Sequence, residues 1–114
     1  MSRGRPQKVA DQIQRELAEI LRRELQDPRF SLLTFTAVDV APDMSHALVY
    51  YTCLDEAQAE AAGRALKKAA GFLRSHLAKR LKLYTTPELR FRYDESVERG
   101  ARLSQLIDSV RPKE

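Results

Sequence analysis

Apolar residues Val9, Ile13, Leu17, Ile20, Leu21 and Leu25 recur at intervals of three and four, the stripe of an amphipathic helix, predicted over about residues 6–26. Pro6 suits the first turn, where a missing N–H leaves no bond unmade. Asp27-Pro28 stops the helix, because a proline disfavours helical backbone at the residue before it. The character then changes. LLTFTAVDV and HALVYYTCL are rich in β-branched and aromatic residues and flank the turn material Ala41-Pro42-Asp43-Met44-Ser45. They predict two antiparallel strands, about residues 33–40 and 46–54. Asp55 with Gln58 three residues later has the spacing of a capping box. It opens a helix whose apolar positions Ala62, Leu66, Ala69, Ala70, Leu73, Leu77 and Leu81 keep step through Gly71. After Pro87 the run LRFRYD sends Leu89, Phe91 and Tyr93 to one side and Arg90, Arg92 and Asp94 to the other, a half-buried strand. Val97, Leu103, Leu106, Ile107 and Val110 mark a last helix over about residues 95–110, with Gly100 weakening its first half. The predicted order is α-β-β-α-α-β-α, counting the long helix as two at Gly71.

A chain of 114 residues at 43% hydrophobic is the size of one ordinary domain, expected over residues 6–110 with loose tails at 1–5 and 111–114. No signal-peptide pattern or long apolar run is present, so a soluble, cytoplasmic protein is expected. Cys53 is the only cysteine, which excludes an internal disulfide and a cysteine metal cluster.

Charge changes the picture more than composition does. Residues 61–87 hold seven Lys/Arg and no Asp or Glu, whereas the other 87 residues carry 13 basic and 16 acidic groups. Placed on a helix, Arg64, Lys67, Lys68, Arg74, Lys79 and Lys82 fall opposite the apolar face, and Arg80 is the exception. Gly71 sits among them, although glycine is worse than alanine in a helix interior by about 1 kcal/mol. Two explanations compete. Either Ala69-Ala70-Gly71 permits close packing onto the sheet under an ordinary solvated face, or a kink there bares backbone, ringed with cations, to a phosphodiester. The total lack of acids over this window favours the second, since solvated helix faces normally mix signs. Arg90 and Arg92 on the following strand add to it. The candidate RNA-binding residues are thus Arg64, Lys67, Lys68, Ala69, Gly71, Arg74, Lys79, Arg80, Lys82, Arg90 and Arg92.

Catalysis finds little to work with. His46 and His76 lack a partner at ligand spacing, and Cys53 lies in a strand pattern where a buried, inert thiol is the common role. Asp39, Asp43, Asp94 and Glu95 fall at strand ends and turns, which recruit acids for local hydrogen bonds. No phosphate-cradling glycine motif occurs. Tyr50, Tyr51 and Phe91 alternate along strands as core residues do. The basic helix is too alanine-rich on its apolar face to insert into a membrane. No enzyme, cofactor, metal or membrane partner is expected.

Together these residues resemble the ribosome-binding factor A family, bacterial small-subunit assembly factors. The likeness runs from Lys8-Val9-Ala10, Ile13, Arg15-Glu16-Leu17 and Ile20-Leu21 to the triplet Asp27-Pro28-Arg29. It continues through Thr36, Val38, Val40 and Asp43, then Ala47, Val49 and Tyr50, to the A-x-G element Ala69-Ala70-Gly71 with Leu73-Arg74. Pro87-Glu88-Leu89, Phe91, Asp94 and Ser96 close it. The resemblance implies an α+β, type II KH-like fold, a three-stranded sheet packed with helices. In it a helix-kink-helix at Ala69-Ala70-Gly71 replaces the G-x-x-G loop, which this sequence lacks. It also implies a monomeric, non-enzymatic factor that binds 16S rRNA in the free 30S subunit or its precursors. Such a factor assists late 16S maturation, including the 5′ end region, and supports growth in the cold. Leu83-Tyr84 departs from the family's usual Leu-Arg, and the tail Arg111-Pro112-Lys113-Glu114 is shorter than the family's. The alternatives are a general single-strand RNA binder of KH type and a basic module that meets an acidic protein.

Overall fold

The computed structural model describes residues 4–82 and 85–96. Helix α1 (Gly4–Glu24) buries Ala10, Ile13, Leu17, Ile20 and Leu21, the stripe read from the sequence. It is followed by a 3-10 turn, Pro28–Phe30, which Asp27 caps by accepting a bond from Arg29 N at 2.9 Å. Arg29 also clasps the same carboxylate at 2.6 Å and, with that backbone bond, holds it below the usual carboxylate range. The turn drops Phe30 into the core.

Strands β1 (Leu33–Val40) and β2 (His46–Cys53) form the expected antiparallel hairpin. At its tip Met44 N donates to Ala41 O at 2.8 Å, and Met44 takes the left-handed conformation, φ 63°. A bulge at Thr36 shifts the register between Phe35 and Ala37. At this bulge Gln14 of α1 donates to Phe35 O at 3.0 Å, so the exposed edge of β1 is held by a side chain rather than a strand. Helix α2 (Glu56–Arg80) starts at Asp55, whose carboxylate accepts from Ala57 N at 3.1 Å. It carries the chain over one face of the sheet, so that β3 (Glu88–Tyr93) pairs parallel to β2 in the order β1-β2-β3.

Alternation along the strands separates two faces. Phe35, Ala47, Val49, Tyr51, Cys53 and Leu89 point into a core shared with Ile13, Leu17, Ile20, Leu66, Leu73 and Leu77 of the helices. Val49 and those six helical residues are fully buried. Truncating one such leucine to alanine typically costs about 2–5 kcal/mol. Phe35 stacks with Phe91 at 6.2 Å, and Tyr51 meets Tyr93 edge-on at 5.7 Å, so these aromatics belong to the packing as the strand pattern predicts.

The architecture is α+β and KH-like, as expected. One detail differs: α2 is a single uninterrupted α-helix through Ala69-Ala70-Gly71, so the two helices counted there are one element. Because every turn on both sides of Gly71 continues the same hydrogen-bonded ladder, no second helix N-terminus with unpaired N–H groups is offered at this point. The expected last helix lies outside the described residues except at its start. There Asp94 accepts from Ser96 N at 2.9 Å and from the hydroxyls of Ser96 and Thr36, both at 2.5 Å.

Candidate nucleic-acid interface

Two glycines of α2 have opposite surroundings. A Cβ added to Gly63 would collide with the Tyr51 hydroxyl, so this glycine makes room for a core tyrosine. A Cβ added to Gly71 would meet no atom of the described residues within 4 Å beyond its own stretch of helix. Gly71 is exposed, and none of the described residues packs close enough to require a glycine there.

Around it the helix lays out a cationic stripe. Lys67 and Lys68 stand one turn before Gly71, Arg74 one turn after and Lys79 further on, and Lys82 follows just past the end of the helix, all exposed. Residues three and four apart are neighbours on a helix surface, so the helical cations line up along one side. No carboxylate of the described residues pairs with Lys67, Lys68, Lys79 or Lys82. Arg74 has one local duty: its Nε and Nη2 donate to Thr86 O at 3.2 and 2.8 Å, tying the stripe to the segment that enters β3.

The remaining candidates are placed elsewhere. Arg64 is exposed at the N-terminal end of the stripe and bonds Glu60 at 2.8 Å. Ala69 is half-buried and packs against the core, so it does not bare backbone to a ligand. Arg80, off the polar face in the helical projection, turns toward α1 and meets Glu16, Glu19 and Glu24 at 3.1, 3.6 and 4.0 Å. It fastens the end of α2 to α1. Arg90 and Arg92 are exposed on β3, but they alternate with Leu89 and Phe91, which face the core under α2. The two arginines therefore point to the opposite face of the sheet, and Arg90 is paired with Glu88 at 3.0 Å. Leu83-Tyr84 and the tail residues 111–114 lie outside the described residues.

Gly63 as a packing glycine escaped the sequence reading. Its signal is the distant Tyr51, which no local pattern links to it. Of the two histidines, His46 Nδ1 is 3.0 Å from the Ser45 hydroxyl, and His76 lies against Phe72. Cys53 is buried, as its strand position predicts. Among the described residues no group of His, Cys, Asp and Glu is arranged to hold a metal ion, and no helix is long and apolar enough to cross a membrane.

Fold and surface thus define a KH-like α+β domain with one cationic helix side built around an open glycine. The sequence profile described as ribosome-binding factor A matches residues 5–107, and the chain belongs to that family. It is similar to ribosome-binding factor A of Nitrosospira multiformis, 54% identical over 108 residues that cover 94% of this chain and 86% of the relative. The crystal structure of the Thermus thermophilus factor matches with a TM-score of 0.71 at 36% identity, covering 77% of this chain and 94% of that one. Coordinates of the Thermus thermophilus factor fitted into a cryo-electron-microscopy map of a 30S complex match with a TM-score of 0.65 at 37% identity, over 75% and 91% of the two chains.

Proposed function

We propose that the protein is a non-enzymatic assembly factor that binds the free 30S subunit or its precursor. In this reading it assists late maturation of 16S rRNA, including the 5′ end region, in the cytoplasm and as a monomer, with particular importance in the cold. The observation that carries it is the open space over Gly71, within a row of cations that no carboxylate of the described residues answers. A phosphodiester backbone supplies both what the row lacks, negative charge, and what the gap admits, close approach. Membership of the ribosome-binding factor A family, and the 30S complex of its Thermus relative, support the same partner.

Lys67, Lys68, Gly71, Arg74, Lys79 and Lys82 form the contact surface in this proposal. Arg64, Arg90 and Arg92 are peripheral, and Arg80 is structural. No bond need be made or broken by the factor. Binding one conformation of a precursor more tightly than its alternatives shifts the rRNA toward that conformation by the difference in affinity. Sedimenting a cell lysate tests the proposal. The factor is expected with free small subunits; migration with all RNA would indicate a general RNA binder, and migration with neither would indicate a protein-interaction module.

A further inference from the structure

The cationic side of α2 carries a feature that phosphate binding does not require. Phe72 is one of three large apolar side chains among the described residues that remain exposed, at 40%. Its ring packs on the His76 imidazole, 4.3 Å between centroids and 40° between planes. Four residues apart, the two form a ridge that runs from Lys68, one turn before Phe72, to Lys79, three residues past His76. Beside it lies the ridge of Lys67, Gly71 and Arg74. One ridge is thus aromatic with a lysine at each end, and its neighbour is cationic around a gap. The α1 carboxylates that reach the end of this helix, Glu16, Glu19 and Glu24, are drawn to Arg80.

We propose that Phe72, backed by His76, is a stacking platform for an unpaired nucleotide base of the RNA whose backbone runs along Gly71. This rests on the functional reading above and adds to it that the contacted RNA is single-stranded at this point. A duplex keeps its bases stacked on one another and offers phosphates only, whereas an unpaired base has a free face that aromatic side chains take. A lone exposed aromatic is commonplace on protein surfaces. Here the ring packs on a second ring, is flanked by cations and stands next to the exposed glycine of the helix.

Charge and stacking respond to different perturbations, which makes the test selective. Affinity for purified 30S subunits is measured against salt for the wild type, Phe72→Leu and Phe72→Trp, each checked for folding by circular dichroism. Phe72→Leu keeps an apolar side chain without an aromatic face and is expected to lose about tenfold or more in affinity, with an unchanged salt slope. Phe72→Trp is expected to bind like the wild type. Because the chain contains no tryptophan, emission of that variant reports this position alone, and it should be quenched by a single-stranded oligoadenylate. Wild-type affinity in Phe72→Leu overturns the platform and leaves the phosphate-binding stripe standing. Lost 30S affinity without quenching by the oligonucleotide assigns the aromatic pair to a protein contact and likewise overturns it. A wild-type protein that fails to bind 30S subunits removes the functional reading and the platform together.

Discussion

Gly63 and Gly71 stand about two turns apart on one helix, and the contrast between them separates what the fold needs from what its surface is for. Gly63 lies over the Tyr51 hydroxyl, and any side chain there displaces a buried tyrosine that is itself packed edge-on against Tyr93. Gly71 lies over none of the described residues, so the helix would accept alanine there and gain from it. Residues flanking the two follow suit. Near Gly63 the exposed Arg64 is answered by Glu60. Near Gly71 four exposed lysines have no carboxylate partner among the described residues. A position that costs helix stability and serves no contact among the described residues is what the proposed external contact would account for.

The largest effect that sharpens this contrast is electrostatic. Replacing Lys67, Lys68, Lys79 and Lys82 by Gln leaves every described hydrogen bond intact while removing up to four phosphate contacts. At a slope of about −0.7 per contact, the wild type with Arg74 as its fifth cation should lose roughly a hundredfold in 30S affinity between about 50 and 200 mM salt, and the variant, which keeps Arg74, only about threefold. Filter binding across a salt series measures it. A steep dependence that survives in the variant moves the interface off α2.

Next in size is the packing glycine. Gly63→Ala is expected to destabilise the fold by about 1–3 kcal/mol, as overpacked core positions do, with 30S affinity unchanged once the protein is folded. Tyr51→Phe removes the atom in the way and should recover much of that loss in the double variant. A denaturant-melt double-mutant cycle shows whether the two changes are coupled or merely add.

Arg80 makes the same comparison within one turn, against its neighbour Lys79. Its guanidinium is about one-quarter exposed and shared among three partly exposed carboxylates of α1. Allowing for solvent screening, Arg80→Gln should cost on the order of 1 kcal/mol of stability and leave the salt dependence of 30S binding as it is. Lys79→Gln should do the opposite, with stability unchanged and the slope reduced.

Much of this was legible along the chain, and the parts that were not share a cause. The predicted strand at 33–40 coincides with β1, and 46–54 overshoots β2 by one residue, because alternation is recorded in adjacent positions. α1 was placed two residues late at each end, as fraying helix termini usually are. The cationic stripe was legible for the same reason, since helical periodicity is local. What required the structure joins distant segments: Gln14 at the β1 bulge, the parallel pairing of β3 to β2, Tyr51 under Gly63, and the α1 carboxylates around Arg80. Arg90 and Arg92 were grouped with the helix because they follow it closely in sequence. The sheet then turned them to the other face, since Leu89 and Phe91 had to meet the core. Even the question of the unbroken α2 was one of distance: the sequence placed the glycine, and only the structure showed that none of the described residues packs against it.

The most direct test takes Gly71→Leu and reads stability and binding on the same preparation. Helix propensity should raise the thermal midpoint by up to a few degrees, because leucine replaces glycine at an exposed helical position where its Cβ meets none of the described residues. Affinity for the 30S subunit should fall by about tenfold or more, because the side chain fills the gap proposed for the RNA backbone. A variant that is more stable and binds worse is the predicted result. One that binds as well as the wild type, or that loses stability, would contradict the claim that Gly71 is kept for the partner rather than for the fold.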